Sequence, residues 1–255
     1  MFIKSSDVDL LVTAFGPGPR VIVAHGGWVG SSEMWCGPFE TLSRSWRTVS
    51  YDHRGSGSTR HTAPRITFDL LVDDLFRVLD ALKIDTCVLA AESMGAMVAL
   101  AAALRSPERF SGLVIVDGRY IGGRTPAQDR LMAGCRDDFA ATMKAFVDAC
   151  IPETDCDAER AWARRIVMRS DADAAVQMLE CAADVELESR LSSITQPTLV
   201  LHGNRDAIVP LAVAEQLVAS IPSAKLVIAD GAGHVPTITR PQWIAEQIAA
   251  FFAGN

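Results

Sequence analysis

A serine set between a strand-like run and a helix-like run is the first feature of this sequence able to do covalent chemistry. Ser93 lies in AESMG, directly after the apolar run CVLAA (87 to 91) and directly before MGAMVALAAAL. A strand running straight into a helix needs a sharp turn, and the central residue of that turn is held in a strained conformation that exposes its side chain above the sheet edge. Ala91 and Gly95 are small enough to let neighbouring backbone pass close by. A serine at such a turn can equally cap the helix, so it gains chemical meaning only with a base beside it. Its hydroxyl is a poor nucleophile at neutral pH unless a neighbour takes the proton, and imidazole titrates in the right range. His234, in GAGHVP between the run KLVIAD (225 to 230) and the last helix, is the candidate.

Other chemistries find less support. Six cysteines (Cys36, Cys87, Cys135, Cys150, Cys156 and Cys181) form no CxxC pair, and no closely spaced histidine joins them in a zinc pattern. They read as free thiols, with Cys87 a small buried hydrophobe inside TCVLAA. A net charge of -7 offers no basic field to hold a polyanion, so neither nucleic acid nor an anionic membrane is expected as partner, and a small uncharged substrate fits better. The N-terminal MFIKSSDVDLLV lacks the pattern of a signal peptide, and MGAMVALAAAL is too short to cross a bilayer, so a cytoplasmic location is expected.

The elements that would position Ser93 and His234 follow from periodicity. Apolar residues make up 49% of the 255 residues and charged ones 22%, enough for a sizeable core under a solvated surface. Runs without alternation recur at VIVAH (21 to 25), TVSYD (48 to 52), CVLAA (87 to 91), LVIVD (113 to 117), TLVLH (198 to 202) and KLVIAD (225 to 230), as suits strands buried on both faces. Helical stripes lie between them, such as Phe68, Leu71, Leu75, Val78, Leu79 and Leu82. The alternation predicts an α/β fold with a doubly wound, mostly parallel sheet. Residues 2 to 5 and 8 to 15 read as an antiparallel edge hairpin. Trp243, Ile244, Ile248, Phe251 and Phe252, after Pro241, place a final helix on the sheet. Between Arg119 and Ser193 the rhythm breaks into helical patterns, with Pro126 and Pro152 punctuating an all-helical insertion.

Strand, AESMG turn and helix together resemble the nucleophile elbow of the α/β-hydrolases, although Ala91 replaces the first Gly of their G-x-S-x-G pattern. HGGW (25 to 28) resembles that family's HG loop, YDHRGSGST its D-x-R-G-x-G turn, HGNRD its acid loop and GAGHVP its histidine loop. The resemblance covers nearly the whole chain outside the insertion. It implies a core of residues 1–118 and 194–255 with residues 119–193 as a helical lid. It also implies a triad of Ser93, Asp206 and His234, the aspartate fixing the histidine tautomer and stabilising the imidazolium. Asp117, at the end of LVIVD, is the rival acid, since a minority of the family draws it from there. The oxyanion hole would take N–H groups from Gly27 and Met94, with Trp28 as the alternative donor and a candidate substrate contact.

For the remaining polar residues the expectations are structural. His25 braces its loop, an Asp52 to Arg54 contact holds the following turn, and His53 sits at the rim or surface. Glu92 is a solvated or paired bystander, His202 is buried at its strand end, and Trp35 and Cys36 are close enough to line a pocket. The expected reaction is acyl transfer from a small, largely apolar ester or lactone to water, with no metal or organic cofactor. Carbon-carbon bond hydrolases and cofactor-free haloperoxidases share the scaffold and triad. From another class comes a non-catalytic ligand receptor, disfavoured by an intact triad, and homo-oligomerisation stays open.

Overall fold

In the computed structural model, which describes residues 1–254, the chain builds a nine-stranded sheet. Its order is β1-β2-β4-β3-β6-β7-β8-β9, with β5 paired to β2. The strands are β1 (Phe2–Lys4), β2 (Val8–Phe15), β3 (Arg20–His25), β4 (Trp46–Tyr51), β5 (Arg60–His61), β6 (Cys87–Glu92), β7 (Phe110–Val116), β8 (Thr198–Gly203) and β9 (Ala224–Ala229). From β4 to β9 every neighbour is parallel, while β1, β2 and β5 pair antiparallel at one edge. The apolar runs are therefore strands, and β6 and β8 are buried along their whole length as covering on both faces requires. The sequence reading differs at β5, whose two residues carry no apolar signal and pair only because the turn before them returns the chain to β2.

Helices α1 (Cys36–Leu42), α2 (Phe68–Ala81), α3 (Gly95–Arg105) and α8 (Leu211–Ser220) connect the strands, and α9 (Pro236–Thr239) leads into α10 (Pro241–Phe251). Four helices lie between β7 and β8: α4 (Pro126–Asp137), α5 (Phe139–Cys150), α6 (Asp157–Val167) and α7 (Ala172–Ala183). Thr125 and Gln128 cap α4 reciprocally around Pro126 at its first turn, satisfying N–H groups that would otherwise lack acceptors. At the far end, Ile244 and Ile248 bury one face of α10, and Phe252 meets the Trp46 ring edge-on at 6.1 Å. No helix among the described residues is long and apolar enough to cross a membrane.

Parallel strands send all their carboxyl ends the same way, and in such sheets ligands bind beyond those ends. His25, Glu92, Val116, Gly203 and Ala229 are the last residues of β3, β6, β7, β8 and β9. Gly27, Ser93, Asp117, Asp206 and His234 all follow within a few residues, which is how positions so distant in sequence reach one place.

Candidate active site

Ser93 has φ +52°, a region that costs a non-glycine residue roughly 1–3 kcal/mol unless its surroundings hold it. Here they do. Its N–H donates to the Val116 carbonyl at 2.9 Å, and its carbonyl accepts from the N–H groups of Ala96 (3.1 Å) and Arg119 (3.0 Å). Directly behind it, a Cβ at Gly95 would stand 2.3 Å from the Gly26 carbonyl oxygen, so the start of α3 and the loop after β3 touch only because Gly95 has no side chain.

His234 Nε2 lies 2.8 Å from Ser93 Oγ, and His234 Nδ1 lies 2.7 Å from Asp206 Oδ2. Asp206 is fixed by its other oxygen, which accepts the N–H groups of Ile208 (2.7 Å) and Val209 (2.9 Å). Burial opposes its ionisation, yet the neighbouring His234 and these two donors hold the carboxyl below the usual carboxylate range. The histidine loop is secured from the helical segment, since the His234 N–H donates to the Cys150 carbonyl at 2.8 Å and the Gly233 N–H to Glu153 at 3.0 Å.

The loop after β3 lies against the serine: a Cβ at Gly27 would sit 3.2 Å from Ser93 Cβ. Among the described residues, the N–H groups of Gly27, Trp28 and Met94 have no acceptor. The Trp28 indole N–H donates to the Ala175 carbonyl of α7 at 2.8 Å. His25 Nδ1 is 2.7 Å from the Gly26 carbonyl, and burial, reinforced by His53, depresses its pKa to about 3. His53 corrects the sequence reading. It is fully buried, stacked on His25 at 5.0 Å, with its ring nitrogens against the carbonyls of Gly27 (2.9 Å) and Arg54 (2.8 Å). Its neighbour Arg54 pairs with Asp74 and Asp7 instead of Asp52, and Asp52 accepts the N–H groups of Ser32 and Ser58. Trp35 is core against Phe39, Cys36 is exposed, and Met34 faces the cavity in their stead.

Glu92 is neither solvated nor ion-paired. It is fully buried, one oxygen accepts the Thr237 hydroxyl at 2.7 Å, the other has no partner among the described residues, and burial lifts its pKa to about 7. Asp117 adopts φ +45°, accepts the Gly203 N–H at 2.8 Å, and is driven far above the carboxylate range by burial and then by the charge of Asp206. His202, also buried, faces the Val209 carbonyl through Nε2 at 2.9 Å, and burial lowers its pKa. Asp117, His202 and Asp206 each place one ligand-type atom within 4.8 Å of the others. Asp206 is already committed to His234 and two backbone donors, so these three are read as a polar network.

Two cavities meet at Ser93. A narrow one of about 40 Å³ is lined by Met34, Val147, Ile166, Val167 and Ile238, and by Glu92 and His234. That volume admits about three waters. A wider one of about 290 Å³ is lined by Met94, Arg119, Thr125, Gln128, Leu131, Leu179 and Ile208. Trp28 and Phe146 border both, their rings edge-to-face at 5.1 Å. Phe146 and Arg119 carry no motif in the sequence, because their positions depend on how α5 and the post-β7 loop fold over the sheet.

A mostly parallel sheet with a left-handed serine after a central strand and an aspartate-bound imidazole beside it defines the α/β-hydrolase architecture. The chain belongs to that family: residues 19–241 match its model, described as the alpha/beta hydrolase fold. Among curated relatives, a pimeloyl-acyl-carrier protein methyl ester esterase of Nitrosomonas europaea is 27% identical, covering 89% of this chain and 93% of its own. RutD of Caulobacter vibrioides, provisionally named a carbamate hydrolase, is 26% identical over 93% of this chain and 91% of its own. Among solved structures, the enol-lactonase of Burkholderia xenovorans superposes with a TM-score of 0.91 at 21% identity, covering 99% of this chain and 100% of that one.

Proposed function

We propose that this protein is a serine hydrolase cleaving a small ester or lactone through an acyl-enzyme, with Ser93 as nucleophile, His234 as base and Asp206 as the acid that orients it. The observation that carries the reading is the unbroken hydrogen-bonded line from Asp206 through His234 to Ser93, at 2.7 and 2.8 Å. Ser93 Oγ attacks the acyl carbon as His234 Nε2 takes its proton, and Asp206 stabilises the imidazolium that results. Charge then gathers on the former carbonyl oxygen. The N–H groups of Gly27 and Met94 are the proposed donors to it, each contributing roughly 3 kcal/mol to the transition state. The alcohol departs with the proton from His234, and a water activated by the same nitrogen releases the acid.

Residues 119–193 act in this reading as a lid that shapes the pocket and excludes water. The narrow cavity suits a short apolar group, and the named activities of the curated relatives, a methyl ester esterase and a provisional carbamate hydrolase, both cleave at an acyl carbon. The test is a panel of p-nitrophenyl esters of graded length, several lactones and a simple carbamate, run on wild type and Ser93→Ala, with fluorophosphonate labelling alongside. Hydrolysis and labelling that both vanish in Ser93→Ala support the mechanism, and turnover that survives the substitution ends it. An inert wild-type protein would favour the ligand-receptor alternative.

A further inference from the structure

Arg119 is the charged residue in the wall of the wider cavity, and it has no carboxylate partner among the described residues. It lines that cavity beside Ser93, and its own N–H is tied to the Ser93 carbonyl at 3.0 Å, so the residue is anchored to the nucleophile's backbone. The guanidinium is half-buried. Nε donates to the Ile121 carbonyl (3.0 Å) and Nη2 reaches those of Gly122 (3.4 Å) and Gly123 (3.1 Å), while Nη1 has no acceptor among the described residues. Among the described residues no carboxylate pairs with it and no acidic side chain lines the cavity, whose other polar groups include Thr125 and Gln128. A guanidinium stays charged even where burial works against it, and the N–H donors left on Nη1 can give a carboxylate a charge-assisted hydrogen bond. The narrow cavity differs: its wall carries Glu92 and no arginine or lysine.

We propose that Arg119 is a specificity-determining residue that binds a carboxylate on the part of the substrate occupying the wider cavity. The preferred substrate is then an ester or lactone that also bears a free carboxylate, with its small uncharged portion in the narrow cavity. This rests on the ester-hydrolase reading and refines it. It also replaces the expectation of an uncharged substrate drawn from the net charge of -7, because a local cation governs a site that a distant net charge cannot.

A matched pair of probes tests the assignment: monomethyl glutarate, an anion at pH 8, and dimethyl glutarate, its neutral counterpart. Wild type is expected to favour the anion by at least about tenfold in kcat/KM. In Arg119→Met that ratio falls at least about tenfold, and Arg119→Lys recovers part of it. A purely structural arginine would lower both rates together and leave the ratio in place, which overturns the proposal. Binding separates this inference from the reaction it rests on. Calorimetric titration of Ser93→Ala with the half ester should show affinity that Arg119→Met in the same background weakens about tenfold or more. If that loss appears while wild type turns over neither ester, the ester reading fails and the role of Arg119 stands. Equal affinity in both backgrounds, or none in either, removes the role.

Discussion

The side chains of Asp117 and Asp206 are both shielded from solvent, with carboxylate oxygens within 4.8 Å of one another, and only Asp206 touches the imidazole of His234. Two such groups cannot both ionise at that separation without a cation, so one proton stays with the pair. His234 and two backbone N–H groups stabilise the charge on Asp206, while Asp117 has the single Gly203 donor and is pushed far upward.

Asn is nearly isosteric with a protonated Asp, so Asp117→Asn should keep kcat/KM within a few-fold of wild type. Asp206→Asn removes the partner of the imidazolium and should cost about 10³ to 10⁴ in kcat. Steady-state kinetics on one ester decides between them, and the reverse pattern would move the acid to the end of β7.

Glu92 carries a pH signature in stability. It titrates near 4.5 when unfolded and at about 7 in the fold, raised by burial. Between those values the native state holds a proton that the unfolded chain has released, so the stabilising contribution is complete below about 4.5 and is lost as pH rises to 7. The loss amounts to roughly 3 kcal/mol. Glu92→Gln should remove that loss relative to wild type, so that its urea-unfolding stability gains on the wild-type value as pH rises across that window and matches or exceeds it at pH 8. A variant with the same downward slope as wild type would assign the proton elsewhere.

What could be read from the sequence, and what could not, follows the range of the interactions involved. The central parallel strands were legible because burial on both faces leaves continuous apolar runs, whereas β9, at the sheet edge, carries such a run while staying largely uncovered; Ser93 was legible because a strand entering a helix is a local event. The structure also brings Asp206 and His234, both flagged in the sequence, to that serine. His53 and Arg54 misled because adjacent residues of one turn send their side chains in different directions: His53 inward to the Gly27 carbonyl, Arg54 to Asp74 on α2. Glu92 was misread since a carboxylate is ordinarily buried only with a counter-ion, and here proton uptake substitutes for one. The partition between the cavities depends on Phe146 meeting Trp28 across more than a hundred residues, a pairing that no short window of sequence contains.

Gly95 supports a prediction about the loop bearing Gly27. An added methyl would meet the Gly26 carbonyl oxygen at 2.3 Å and the His25 ring at 3.0 Å, both parts of a packed loop. Relief requires the loop to retreat from α3, carrying the Gly27 N–H with it. Gly95→Ala should therefore lower kcat by about ten- to a thousandfold, with the upper end corresponding to loss of one oxyanion donor. A smaller proportional change in KM, measured on the same ester, would locate the damage in the transition state. Unimpaired kcat would show that the loop accommodates the methyl without moving the donor.

The narrow cavity makes chain length the most direct readout of substrate placement. Ile166 and Val167 of α6 form part of its wall, and Ile166 is completely buried. Ile166→Ala removes about three carbons' worth of side chain from a space that holds only about three waters, at a stability cost of about 2–5 kcal/mol. If the small group of the substrate lies there, the optimum in a graded ester series should move two or three methylenes longer, while the shortest ester loses kcat/KM because its group no longer fills the space. Trp28→Ala should act differently: opening the Trp28 and Phe146 partition merges the two cavities, so selectivity by length should broaden without a new optimum. Ile166→Ala leaving the length profile unchanged, with the protein still folded by circular dichroism, would mean that the reacting ester never enters the narrow side.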